Sequence, residues 1–295
     1  MLTISRRACL AAPLALPFAA AAANSVVPRS TGTRLRIGLN AFSFNKPLLA
    51  GKMSISELLE YCARHNFDGL DLTGYYFLGY PKVPSDERIY EVKRAAFQNG
   101  VSIIGTGVRN DFALTDASSL RGHIQLVKDW IEVAAKLGGN TLRVFSGKER
   151  PRSHSYQQVL DWMIPAFAEC AEHGKKHGVI VGLQQHHDFL LSAQETIDVV
   201  KAVNSDWFSV ILDVGSLRQV DPYAEIEKLL PYASNWQLKE HVWYGEKKVE
   251  IDLPRLRKII DKVGYRGFIP IEALGEGDPG QIVAAFLQRV RAALL

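Results

Sequence analysis

Five consecutive polar residues, Gln184, Gln185, His186, His187 and Asp188, follow the apolar run Val179 to Leu183. The run reads as a buried parallel strand with the cluster at its carboxyl end, where loops leaving parallel strands converge on a crevice or barrel mouth. Imidazole and carboxylate groups crowded there can have their pKa values shifted into the working range and can move protons. The pattern recurs along the chain. Two-residue alternation puts Asn40, Asp71, Thr106, Arg143, Asp213, Gln237 and Glu272 at the inward carboxyl ends of seven more strands. Any one of these could simply mark a hydrated strand end. One per strand in a single layer, three of them carboxylates and one an arginine, predicts a functional mouth.

The elements that must hold this layer alternate regularly. Strands are predicted at 36–41, 67–73, 101–106, 140–146, 179–184, 208–213, 235–239 and 267–272. Helices fill the gaps at about 54–65, 85–99, 118–137, 155–177, 192–203, 222–230, 253–263 and 279–293. Several helices stop on Gly or Asn just before a strand, as in Asn99-Gly100, Leu137-Gly138-Gly139, His177-Gly178 and Val263-Gly264, which are C-cap signals. Eight strand–helix units in ~260 residues have the size of a closed (β/α)8 TIM barrel, an α/β fold in a single domain. No glycine-rich dinucleotide loop or phosphate-binding loop follows any strand.

The chain has 295 residues, of which 47% are hydrophobic and 22% charged, so it can bury a large single core. Its start is different. Ser5-Arg6-Arg7-Ala8 precedes an Ala-rich apolar run from Leu10 to Ala23, which reads as a twin-arginine export signal over residues 1–23. That run is too short to anchor the chain in a membrane, and small residues at Ala21 and Ala23 suit cleavage before Asn24. A polar linker at 24–33 then leads into the barrel at 34–295, and a periplasmic location is expected. Cleavage removes Arg6 and Arg7 from the 35 basic side chains and leaves 33 against 31 acidic ones, a net of +2. No nucleic-acid partner is implied. Cys62 and Cys170 remain, each on a predicted helix among apolar neighbours; buried thiols are expected, with a disulfide left open.

Three further motifs carry a resemblance. Leu212-Asp213-Val214-Gly215 with Asp221-Pro222-Tyr223, then Gln237-Leu238-Lys239-Glu240, then Gly264-Tyr265-Arg266-Gly267 leading to Ile271-Glu272, look like the xylose-isomerase-like superfamily. That superfamily contains sugar phosphate isomerases, epimerases and related enzymes, and includes endonuclease IV. The resemblance covers nearly all of the mature chain and implies a divalent metal held at the ends of the fifth, sixth, seventh and eighth strands. Laid on this sequence, the ligand positions are Gln184, Asp213, Gln237 and Glu272. Two depart, because amides stand where the family has Glu on the fifth strand and His on the seventh. Amide oxygens still suit Mn2+ or Mg2+, with Co2+ or Zn2+ as alternatives, although losing imidazole counts against Zn2+.

The departure also bears on catalysis. Ketose epimerases of this fold use the fifth- and eighth-strand glutamates as an acid and base pair, and Gln184 cannot take a proton. Glu272 is left with His186, which shares the inward parity of Gln184, and with Lys239 and His241, which share that of Gln237. The substrate-binding set is then Asn40, Asp71, Arg143, His187 and Trp243. Arg143 is expected either to bridge to Asp71 or Glu272 or to contact substrate oxygens. Tyr75, Tyr76, Phe77 and Tyr80, with Trp243 and Tyr244, are candidate aromatic walls for sugar rings.

The leading expectation is a metal-dependent enzyme that enolises a keto sugar, its partner a small-molecule carbohydrate and its oligomeric state open. The alternatives are a periplasmic lyase or hydrolase of oxidised glycosides, and a carbohydrate-binding barrel without catalysis. An abasic-site nuclease is disfavoured by the export signal and by the lack of a basic face.

Overall fold

Alternation along each strand decides which side chains line the centre of the sheet and which meet the helices. The computed structural model describes residues 33–295, so the expected export signal, and all but the last residue of the linker, lie outside the described residues. Among the described residues there are ten strands: β1 Arg34–Asn40, β2 Gly69–Asp71, β3 Ser102–Gly107, β4 Thr141–Phe145, β5 Ile180–Gln184, β6 Phe208–Asp213, β7 Ala233–Lys239, β8 His241–Tyr244, β9 Lys247–Glu250 and β10 Arg266–Glu272. All but β8 and β9 close into one parallel barrel in the order β1-β10-β7-β6-β5-β4-β3-β2.

Leu39, Leu70, Leu142, Leu183, Leu212, Leu238 and Ile271 are wholly buried towards the helix layer. Their successors or predecessors by one residue, Asn40, Asp71, Arg143, Gln184, Asp213, Gln237 and Glu272, therefore point the other way, into the barrel. The eight predicted barrel strands all form, and the (β/α)8 architecture is as the sequence predicts. Register adds what alternation alone cannot: Asp213 lies beside Gln237 and Glu272 beside Lys239.

The outer layer comprises α1 Asn45–Leu49, α2 Ile55–Arg64, α3 Asp86–Gln98, α4 Ala117–Leu137, α5 Tyr156–His177, α6 Ala193–Val203, α7 Pro222–Leu229, α8 Leu253–Val263 and α9 Pro279–Leu294. Local chemistry explains their limits. Ser54 with Glu57, and Ser155 with Gln158, form capping boxes at the starts of α2 and α5. Helix α5 ends on Gly178 at φ +70°, a left-handed cap that returns the chain directly into β5. Among the described residues no helix is long and apolar enough to cross a membrane. Cys62 and Cys170 are both free and buried, so the disulfide left open by the sequence does not form, and burial pushes each thiol up to about 12.

One element was not anticipated. Residues 241–250 form a hairpin, β8 against β9, with Trp243 opposite Lys248 and a tight turn through Gly245 at φ +58°. Lys247 and Lys248 are exposed on the return strand of this hairpin.

Candidate functional site

The floor of the mouth is a closed network of hydrogen bonds centred on Asp213, which is fully buried. Its Oδ2 accepts from Gln184 Nε2 at 2.7 Å, from the Ser216 hydroxyl at 2.7 Å and from Lys239 Nζ at 2.8 Å, while Oδ1 accepts from the Gly215 amide at 3.0 Å. Gln184 Nε2 also donates to Gln237 Oε1 at 2.6 Å. Lys239 Nζ reaches Glu272 Oε1 at 3.5 Å, so one ammonium bridges the two carboxylates.

Burial and charge set the protonation states. Burial acts to raise the Asp213 pKa, but the Lys239 ammonium, His186 and the hydrogen bonds from Lys239 and Ser216 outweigh it and hold the carboxyl below the ordinary range. Glu272 goes the other way: burial raises it, and the Asp213 charge adds to that, against only partial relief from Lys239. Burial disfavours the charged form of Lys239, yet Asp213 and Glu272 more than offset it, so its pKa is raised and it stays an ammonium.

Above the floor lie two adjoining cavities that share His186, Lys239 and Glu272. The first, about 250 Å³, is walled by Phe42, Tyr75, Phe145, Arg109 and Arg143. The second, about 290 Å³, lies under the hairpin against His187, Arg218, His241 and Trp243. Each falls just below the ~300–1,000 Å³ usual for small-molecule sites. Arg218 stacks on Trp243 at 4.0 Å, and Arg109 on Tyr75 at 4.7 Å.

Most of the residues expected at the mouth converge there, with roles the sequence did not reveal. Asn40 lines the first cavity, but its Oδ1 is committed to the Phe42 amide at 2.8 Å. Arg143 donates to Val108 O and to the Tyr75 hydroxyl, both at 2.9 Å, so its hydrogen bonds go to neither of the carboxylates expected as its partners. Asp71 is a correction to the expected substrate-binding set. It lies in the barrel interior off the cavity walls, with Asn235 Nδ2 at 3.4 Å, and burial raises it to about 7 against the opposing charge of Arg143. Thr106 is inward and buried, its hydroxyl without a partner.

Strand parity ends with β5 at Gln184. His186 stands on the rim against Phe145, ring centroids 5.3 Å apart, with Asp188 Oδ2 3.6 Å from its Nδ1. His187 has φ +58° and turns beneath the hairpin; burial is the main cause of its lowered pKa. Gln185, part of the polar cluster but given no role by the sequence, fastens β5 to β6 by donating to Asp213 O and accepting from Asp213 N. Ser216 was missed. Its place three residues past a strand end carries no periodic signal.

The residues implied as metal ligands meet, but their donors do not fit a divalent ion. A carboxylate only accepts, so Gln184 must turn its NH2 towards Asp213, and a metal needs the amide oxygen there. That NH2 also occupies the Gln237 oxygen. A dication about 4 Å from the Lys239 ammonium would meet ~8 kcal/mol of repulsion, twice the ~4 kcal/mol between unit charges at an effective dielectric of ~20. The expected metal ligation by Gln184, Asp213, Gln237 and Glu272 therefore disagrees with the donor set. Far from the mouth, Glu132 on α4 and His173 and His177 on α5 bring ligand atoms within 4.8 Å of one another, a cluster that could hold a metal ion. It lies on the helix layer and has no part in the mouth.

The family model described as xylose isomerase-like TIM barrel matches residues 59–292. No curated protein sequence matches the chain. Among solved structures, a D-psicose 3-epimerase from Clostridium cellulolyticum H10 with D-tagatose superposes with a TM-score of 0.71 at 16% identity, covering 88% of this chain and 99% of that one. A 3-keto-D-glucoside 4-epimerase from E. coli gives 0.72 at 13%, covering 88% and 100%. A family 2 AP endonuclease from Brucella melitensis gives 0.66 at 18%, covering 87% and 98%. At these identities the likeness is one of fold.

Proposed function

We propose that this chain, which belongs to the xylose isomerase-like TIM barrel family, is a carbohydrate-active enzyme that removes a proton from the carbon next to a ketone. The observation that carries the reading is the Glu272–Lys239 pair at the junction of the two cavities, a carboxyl with a raised pKa touching a fixed ammonium. In the ionised fraction, Glu272 takes the proton as the C–H bond breaks. The electron pair moves into the C–C bond, and the carbonyl oxygen becomes the oxyanion of an enediolate beside Lys239. A base whose pKa is raised towards the working pH is better matched to a weak carbon acid than an ordinary carboxylate. His186, which lines both cavities and has Asp188 Oδ2 3.6 Å from its Nδ1, can return a proton.

Isomerisation, epimerisation and elimination share this step. The shared placement of Lys239, Glu272 and His186 between two cavities favours a second, narrower reading, a lyase or hydrolase of oxidised glycosides with one ring in each cavity. Support for export comes from Arg6 and Arg7 ahead of the Ala-rich run, and the substrate is then an unphosphorylated sugar of the periplasm. The test is turnover of a panel of free ketoses and keto-glycosides by the parent and by Glu272→Gln. A loss of about 10²- to 10⁴-fold supports the reading, and equal turnover by the two proteins removes it.

A further inference from the structure

We infer that the ammonium of Lys239, assisted by the amide of Gln184, stands in place of a divalent cation at the barrel mouth, so that the mouth is built to work without a metal. Three independent observations carry this. The first is saturation. Four donors surround the Asp213 carboxylate, and three of them converge on Oδ2. The Gln237 oxygen is filled by Gln184 and the Glu272 carboxylate faces Lys239. Both oxygens of Asp213, the side-chain oxygen of Gln237 and Glu272 Oε1 thus each face a cationic or N–H/O–H partner.

The second observation is charge. With Gln184 in place of a third acidic ligand only two carboxylates remain, and the Lys239 ammonium already contacts both, 2.8 Å from Asp213 and 3.5 Å from Glu272.

The third is space. The lysine is placed by register, since Lys239 lies directly beside Glu272 across β7 and β10 and two residues above Gln237 on the same face. Gly215 leaves the room for its stem, because a Cβ there would come within 2.5 Å of Lys239 Cδ, 3.2 Å of its Cβ and 3.3 Å of its Cγ. The lysine's seat is thus part of the loop after β6, and both carboxylates depend on it.

A fixed ammonium offers charge and hydrogen bonds to a developing oxyanion without an exchangeable ion. The claim concerns what fills the site, and its test reads metal rather than turnover, so it stands or falls separately from the proposed reaction.

The experiment uses mature protein carrying His173→Ala and His177→Ala, which silences the outer His/Glu cluster. Divalent ions are measured by plasma mass spectrometry after dialysis, and added Mn2+ by electron paramagnetic resonance. The parent mouth should retain no stoichiometric metal and bind none of the added Mn2+. Adding Lys239→Met with Gln184→Glu supplies a third carboxylate and removes the cation, and should create one Mn2+ site per chain. Retention of one tightly held ion by the parent mouth, lost in Asp213→Asn, would overturn the inference, and that measurement does not depend on whether the engineered variant folds. A folded Lys239→Met/Gln184→Glu variant that gains no Mn2+ overturns it too.

Discussion

Asp71 should make the protein less stable as the pH rises, and Asp71→Asn should remove that loss. The carboxyl is buried in the barrel, and burial raises its pKa from 3.8 to about 7 even with Arg143 nearby. Between those two values the folded chain holds a proton that the unfolded chain has released. Stability from this group is therefore fully present below about pH 3.8 and is lost as the pH passes 7. A shift of about three units corresponds to ~4 kcal/mol, of which ~2.5 kcal/mol should develop between pH 5 and pH 8. Asparagine keeps the shape and cannot ionise. Calorimetry of parent and variant at pH 5, 6, 7 and 8 cancels every other titration, and the gap in melting temperature should widen in favour of Asp71→Asn by roughly 5–10 °C. A gap that is constant with pH would refute the reasoning, because it would mean that Asp71 ionises freely in the fold.

Three further outcomes are expected. Gly215→Ala should cost about 1–3 kcal/mol by crowding the Lys239 stem, and a double-mutant cycle with Lys239→Ala should show the penalty vanish when the stem is absent. Trp243→Ala should raise KM about 3- to 10-fold for two-ring substrates while leaving KM for free monosaccharides unchanged, because Trp243 walls only the second cavity; equal effects on both would place the second ring elsewhere. Changing Arg6 and Arg7 together to Lys should hold the protein in the cytoplasm, checked by fractionation, and unaltered export would remove the localisation.

The barrel was legible because buried parallel strands leave a strong imprint. Each pairs an apolar outward residue such as Leu183 or Leu212 with a polar inward one at its carboxyl end. That imprint also named Gln184, Asp213, Gln237 and Glu272 as neighbours. It could not say what the neighbours do. The Lys239 bridge depends on the register of β7 against β10 and on free space at Gly215, both non-local. His187 reaches the second cavity by a route that alternation cannot foresee, because the strand pattern stops where β5 ends and the chain enters a left-handed conformation. The hairpin at 241–250 was hidden for a related reason. Its two four-residue strands are partly exposed on both faces, so no clean period of two survives.

The central claim, that Glu272 removes a proton beside a ketone with Lys239 facing the nascent oxyanion, is tested most directly by hydrogen–deuterium exchange. A keto sugar is incubated in D2O with chelator-treated protein, and loss of the C–H signal next to the carbonyl is followed by proton NMR. Exchange should proceed with the parent protein, and Glu272→Gln should slow it by about 10²- to 10⁴-fold. Exchange at the parental rate in Glu272→Gln would contradict the account.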